Sequence, residues 1–180
     1  MNKKISILTL ALLVTSMIII PTVSACRNRT QTEYLEVPFT GSIEIWLEDP
    51  GKICKVRNLL IIKNAYWKGT STTETGTLPY ERWYTIVMNL KTGKGIWIAR
   101  AITTIEAAPG IVIGTFEGGG FGKINDYVFS FGNFELTGTG VVEGLIIKGT
   151  MENEIVEGDW INVGSHALTI TSGITYVPIV

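Results

Sequence analysis

Three glutamates have a residue type and spacing that would suit acid–base chemistry. Glu117, Glu143 and Glu152 occupy comparable positions beside glycines and are predicted to lie at strand ends. If they met at one rim of a barrel, two carboxylates about 5–10 Å apart would allow glycosidase-type catalysis. Glutamates at strand ends are also common as solvated turn residues, and that interpretation stands beside the catalytic one.

His166 is the only histidine in the chain. It cannot form a zinc site with two cysteines that are distant in sequence and lack metal-ligand spacing. Ser165 would point to the opposite face of a strand, which argues against a Ser–His couple. His166 is therefore predicted to be a surface or strand-end residue, with a general base in a barrel mouth as the alternative.

Arg100 shares a predicted strand face with Ile96 and Ile98. If that face lines the interior, Arg100 is a buried cation that needs a carboxylate partner or an anionic ligand. If the face points outward, Arg100 is an ordinary surface residue.

Trp46 alternates with the apolar residues of its segment and so shares a face with Glu44 and Glu48. A tryptophan on a polar face can stack on a sugar ring or cover a barrel mouth, although tryptophans more commonly pack in a core. The candidate ligand-binding residues are Arg100, Trp46, Trp97, Glu117 and Glu143. No catalytic residue, metal ligand or cofactor is assigned.

The elements that must position these residues are predicted to be strands. Apolar residues do not recur at helical spacing for three turns in the segment that follows residue 33, whereas alternation is frequent. Residues 83–90 and 96–105, joined by a short glycine-bearing turn, form the clearest hairpin. Further turns are predicted at 49–51, 108–110, 118–120, 138–140 and 172–173.

About eight or nine strands follow from this pattern, and a single open sheet of that size would expose its edges. The predicted fold is therefore all-β: one antiparallel up-and-down β-barrel of about eight strands, formed by residues 34–180. No linker-like segment divides it.

The beginning of the chain has the anatomy of a secretory signal. Lys3 and Lys4 precede an apolar run, and small residues precede Cys26. We therefore expect residues 1–25 to be a signal peptide, residues 26–33 a polar segment, and the protein to be secreted or held at the cell surface. Loss of the two lysines changes the net charge from −1 to −3, which argues against a nucleic-acid partner.

The two cysteines allow two incompatible predictions. In an oxidising exterior, Cys26 and Cys54 would form a disulfide. Alternatively, residues 23–26 resemble a lipoprotein signal, in which Cys26 would carry a lipid and attach the protein to a membrane. Lipidation would leave Cys54 as an unpaired thiol.

The glycine-punctuated segment from Gly132 to Thr150, together with the corner at 114–118, resembles exported prokaryotic proteins of unknown function. Those proteins are similar in turn to lipocalin-like and allene-oxide-cyclase-like barrels. Dirigent proteins also have the allene-oxide-cyclase-like barrel. The resemblance covers about half of the chain and implies a barrel fold. It transfers no catalytic residue, and the lipocalin G-x-W signature is not on the first strand.

Three functions fit this sequence. The first is a non-enzymatic barrel that binds a small apolar or amphipathic molecule inside. The second is a cofactor-free cyclase-like or dirigent-like enzyme that uses strand-end carboxylates. The third is a surface structural or adhesion module with a solid barrel and exposed aromatic residues. The oligomeric state is not predicted.

Overall fold

A computed structural model describes residues 32–157 and 161–179, apart from the side chains of Ser130, Asn153 and Ile155. The strands in these residues are β1 (Tyr34–Asp49), β2 (Lys52–Val56), β3 (Leu59–Thr73), β4 (Gly76–Asn89), β5 (Lys94–Ala108), β6 (Ile111–Asn125), β7 (Val128–Gly140), β8 (Ile146–Glu157) and β9 (His166–Pro178). The predicted signal peptide and Cys26 lie outside the described residues.

Strand pairing closes the sheet into a barrel. Each strand from β3 to β8 pairs in antiparallel fashion with the next one along the chain. β1 completes the ring because it pairs with both β9 and β3. The predicted all-β, up-and-down barrel of eight strands is confirmed, and these strands belong to one compact unit, Tyr34–Val180.

The additional strand, β2, continues β1 after a sharp bend. Pro50 has no N–H to contribute to a ladder, and Gly51 has a φ of 68°, a conformation that favours glycine. The Gly51 N–H donates to Asp49 Oδ1 at 2.8 Å. β2 then pairs with the start of β3 and, within the described part of the chain, with no other strand. It is therefore an edge strand attached to a closed barrel.

Alternate side chains of the long strands fill the interior. On β1, Ile43, Ile45 and Leu47 are buried while Trp46 faces outward, as the alternation predicted. The sequence neighbours Tyr66 and Trp67 on β3, and Trp83 and Tyr84 on β4, each place one ring inside the barrel and one outside. Trp67 and Tyr84 are buried, whereas their neighbours stack on the outside with ring centroids 5.1 Å apart.

Three predicted turns are wrong. Residues 138–140 form the end of β7, and the chain reverses at 141–144 instead. Residues 118–120 lie inside β6, and residues 172–173 lie inside β9. Their glycines permit close approach and do not reverse the chain. A Cβ atom on Gly120 would lie 2.6 Å from the Asn133 carbonyl oxygen, and one on Gly173 would lie 2.9 Å from the Phe39 ring. The predicted turns at 49–51 and 108–110 do separate strands.

Candidate functional site

The barrel interior contains a charged pair that joins opposite parts of the sheet. Arg82 on β4 donates from Nη2 to Glu154 Oε2 on β8 at 2.5 Å. Both side chains are almost completely buried. Burial of two charges is tolerated when they pair and when further hydrogen bonds satisfy them.

Further groups converge on the same carboxylate oxygen. Tyr84 donates its hydroxyl to Glu154 Oε2 at 2.9 Å, and Thr169 donates at 2.6 Å. The Arg82 guanidinium lies over the Tyr84 ring at 4.2 Å from the centroid. Side chains from β4, β8 and β9 therefore form one polar cluster within an otherwise apolar core.

The ionisation behaviour of this cluster follows from its burial. Loss of solvent raises the pKa of Tyr80 and raises that of Tyr84 well above its ordinary value, although the charge of Arg82 opposes both shifts. Burial is the largest influence on the pKa of Arg82 and lowers it, but the charge of Glu154, the neighbouring Tyr84 and Tyr80 and the hydrogen bond to Glu154 together outweigh burial, so the net shift is upward. Arg82 thus remains charged, and both tyrosines remain neutral at physiological pH.

Aromatic packing seals the polar cluster. Trp97 stacks on Phe129 with ring centroids 5.7 Å apart, and Tyr84 meets Trp97 edge to face. The space bounded by Trp97, Phe129, Met151 and Glu154 is too small for a water molecule. The cluster is therefore a structural element of the core, because a substrate has no space beside the carboxylate.

The structure does not gather the three predicted carboxylates. Glu117, Glu143 and Glu152 are all exposed, on β6, in the β7–β8 turn and on β8. Glu117 pairs with Thr137 and Glu152 pairs with Phe131, so their partners on β7 are six residues apart. That separation is roughly 20 Å along a strand, which is too far for a glycosidase pair.

Arg100 points outward, so the interpretation as an interior cation is wrong. Its side chain is 65% exposed and lies 3.6 Å from Glu117, with the guanidinium 5.6 Å from the Trp83 ring centroid. The buried cation is Arg82. Trp97, a predicted ligand-binding residue, is a core residue with 1% exposure.

Trp46 and His166 form a contact on the outer face. Their rings stack with centroids 5.1 Å apart, and His166 Nε2 lies 3.0 Å from Glu44 Oε1. His166 is the first residue of β9, in agreement with its prediction as a strand-end residue. The Trp46 ring is therefore partly covered by another side chain of this protein.

Cys54 lies on β2 with a free, exposed thiol. Its predicted disulfide partner, Cys26, is outside the described residues, so both the disulfide and the lipid stay predictions. Residues 32–157 and 161–179 contain no group of three acidic, histidine or cysteine side chains placed to hold a metal ion. No helix in the same residues is long and apolar enough to cross a membrane.

An open concave feature lies on the outside of the barrel, across β6–β9. Strand register places short or flat outward side chains directly opposite one another in a row, Phe121, Asn133, Thr150 and Ser172. The adjacent outward row is Gly119, Glu135, Lys148 and Ile174. These two rows, with Tyr176, Phe134 and the glycines at 149 and 173, line a groove of about 580 Å³, here named the outer groove.

Beneath the outer groove, two glycines leave the sheet without side chains on its inner face. Gly149 and Gly173 pair with each other between the two outward rows. A Cβ atom on Gly149 would lie 2.6 Å from Phe134 Cζ, since that ring packs behind it in the interior. A larger residue is thereby excluded, and backbone contributes to the floor of the outer groove.

The outer groove combines aromatic and hydrogen-bonding groups with balanced charge. Lys148 Nζ lies 3.2 Å from Glu135 Oε2, so the two charged residues that line the groove pair with each other. Lys148 Nζ also lies 6.0 Å from the Tyr176 ring centroid. The hydroxyls of Thr150 and Ser172 are 3.3 Å apart on the floor.

The chain matches no protein-family model, no curated protein sequence and no solved structure. The resemblance to allene-oxide-cyclase-like and lipocalin-like barrels therefore stays a prediction beyond the fold itself. Neither the Arg82–Glu154 pair nor any residue that lines the outer groove was predicted from the sequence as a site residue. Arg82, Tyr84 and Ile86 are spaced by two along β4 and therefore share one face, and this spacing could have placed Arg82 in the interior.

Proposed function

We propose that this protein is exported and acts as a non-enzymatic surface recognition or adhesion module that binds a neutral carbohydrate chain in the outer groove. The observation that carries the proposal is the contrast between the closed space beside Glu154 in the core and an open outer groove of about 580 Å³. A volume of several hundred Å³ is in the range of ligand sites.

The side chains of the outer groove suit a carbohydrate. Asn133, Thr150 and Ser172 supply an amide and two hydroxyls, which can donate to and accept from sugar hydroxyls. Phe121 and Tyr176 supply aromatic faces for the apolar side of a sugar ring. Because Glu135 and Lys148 neutralise each other, a neutral ligand meets no excess charge.

The other two functions have less support from the geometry. A small apolar ligand inside the barrel needs a cavity of roughly 300 Å³ or more, and the interior space beside Trp97 and Glu154 cannot hold one water molecule. A cyclase-like or dirigent-like enzyme needs a carboxylate that faces bound substrate. Glu117 and Glu152 are exposed and far apart, and Glu154 is sealed in the core.

The test is a pair of threonine substitutions on the outer face. Thr150→Tyr fills the floor of the outer groove, whereas Thr137→Tyr adds the same bulk to β7 outside its lining. Each protein is run through native gels that contain soluble dextran, mannan or galactan. We expect at least one polysaccharide to retard wild type and Thr137→Tyr, and retardation to fall at least tenfold in Thr150→Tyr. Equal retardation of all three proteins, or none with any neutral polysaccharide, would contradict the proposal.

A further inference from the structure

A second outer surface, on β2–β7, adjoins the outer groove and shares Phe121 and Asn133 with it. Three rows of outward side chains run across these strands: Val56, Leu59, Asn89 and Lys94; Cys54, Ile61, Val87, Ile96, Lys123 and Phe131; and Thr85, Ile98, Phe121 and Asn133. Lys52 and Lys63 pair beside the second row. We name this surface the basic apolar face.

Several apolar side chains of this face are more than half exposed and lie next to one another. Ile96, Ile98 and Phe121 are 54%, 58% and 64% exposed, and they lie on adjacent strands. Val56 and Phe131 extend the exposed apolar area toward β2 and β7. Contiguous apolar surface of this kind typically marks a site of protein or membrane interaction.

The charge on the basic apolar face identifies its partner. The rows contain lysines and no acidic residue, although the chain as a whole has a net charge of −1. Acidic residues flank the face: Asp126 in the β6–β7 turn, Glu152 opposite Phe131, and Glu135, which pairs with Lys148. A second copy of the same face would bring lysines against lysines, which opposes self-association.

We propose that the basic apolar face docks on an anionic lipid bilayer. Ile96, Ile98 and Phe121 enter the boundary between headgroups and acyl chains, while the lysines, with flexible apolar stems, reach anionic headgroups. This contact requires neither a signal peptide nor a lipid on Cys26, and it shares Phe121 and Asn133 with the outer groove.

Vesicle sedimentation tests this proposal with the predicted exported form, residues 26–180, in which every protein carries Cys26→Ser, so that neither the apolar run before residue 26 nor a lipid on that residue contributes. The probes are vesicles of phosphatidylcholine alone and of phosphatidylcholine mixed with phosphatidylglycerol. One variant, Ile96→Ser/Ile98→Ser, removes apolar contact, and a second, Lys52→Glu/Lys63→Glu, reverses charge. The matched control is Leu168→Ser/Ile170→Ser, an exposed aliphatic pair with the same spacing on β9.

We expect the parent and the β9 control to bind the anionic vesicles, with binding that weakens as salt is added. Each variant of the basic apolar face loses about tenfold or more in affinity. Equal binding by all four proteins, or no preference for phosphatidylglycerol, would overturn the proposal. So would a parent that forms dimers which Ile96→Ser/Ile98→Ser dissociates, while vesicles remain unbound, because the face would then serve self-association.

Discussion

Arg82 and Glu154 bring two full charges into a core that is otherwise aromatic and aliphatic. The pair is imperfectly satisfied, because Arg82 Nε and Glu154 Oε1 have no hydrogen-bond partner among the described residues. A buried ion pair of this kind adds little net stability relative to apolar side chains of similar volume. Loss of one partner is expected to destabilise the fold, because the other charge then stays buried without an opposite charge beside it.

We therefore predict that Arg82→Met lowers the free energy of unfolding by about 3–5 kcal/mol, and that Arg82→Met/Glu154→Leu recovers most of this loss. Urea denaturation measures both. Arg100→Met is the matched control, and because Arg100 is exposed its effect should stay below about 1 kcal/mol. A double variant less stable than Arg82→Met would show that the ion pair itself stabilises the barrel beyond what an apolar core provides.

The sequence contained half of the information needed to find this pair. Arg82, Tyr84 and Ile86 occupy every second position of β4. Period-two alternation therefore places Arg82 on the same inward face as Tyr84 and Ile86. Glu154 could not be found in this way. The register of β8 shifts between Glu152 and Ile155, and Glu154 and Met151 are both buried although three positions apart. A bulge of this type leaves no reliable mark in one sequence.

Among the elements, β6 and β7 depend most on glycine. Gly122 and Gly132 pair across these strands on the interior face, and the Trp97 ring lies against both. A Cβ atom on Gly132 would collide with Trp97 Cζ2. The missing side chains thus make room for the largest aromatic residue near the polar cluster.

Gly132→Ala should lower the free energy of unfolding by about 1–3 kcal/mol, because overpacking forces the tryptophan ring or the backbone to shift. Denaturant unfolding followed by tryptophan fluorescence reports both the stability and the environment of Trp97. Asn133→Ala is the neighbouring outward change, and we expect it to stay within about 0.5 kcal/mol of wild type. A fully stable Gly132→Ala protein would mean that the interior tolerates an added methyl group.

This dual use of glycine explains which elements could be predicted. The hairpin of β4 and β5 followed from alternation on both sides of a short loop. The glycines at 118–120 and 173 gave the same signal as a turn, yet they serve close packing within strands. The outer groove was harder still to predict from the sequence. Its rows depend on the register of four strands, and a shift of one residue in a strand would move its outward side chains to the interior face.

For the whole molecule, the decisive feature is that the first and last long strands pair and close the ring. Tyr34 lies opposite Pro178, so no strand between β3 and β9 has a free edge along its full length. Solvent therefore reaches the buried Tyr80 and Tyr84 hydroxyls only when the barrel opens. Their ionisation is thus coupled to unfolding of the whole barrel.

This coupling predicts that the barrel loses stability in alkali. Above about pH 10 an unfolded tyrosine releases its proton, whereas Tyr80 and Tyr84 keep theirs in the fold because burial raises the pKa of both. The folded state then binds more protons than the unfolded state, so the free energy of unfolding falls as pH rises, by up to about 1.4 kcal/mol per pH unit for each tyrosine. Urea denaturation from pH 8 to pH 11 measures this slope.

Tyr84→Phe lowers the free energy of unfolding at pH 8, since a hydrogen bond to Glu154 is lost, but it should make the decline in stability above pH 10 less steep. An unchanged slope in Tyr84→Phe would show that Tyr84 ionises without unfolding and that the core admits solvent.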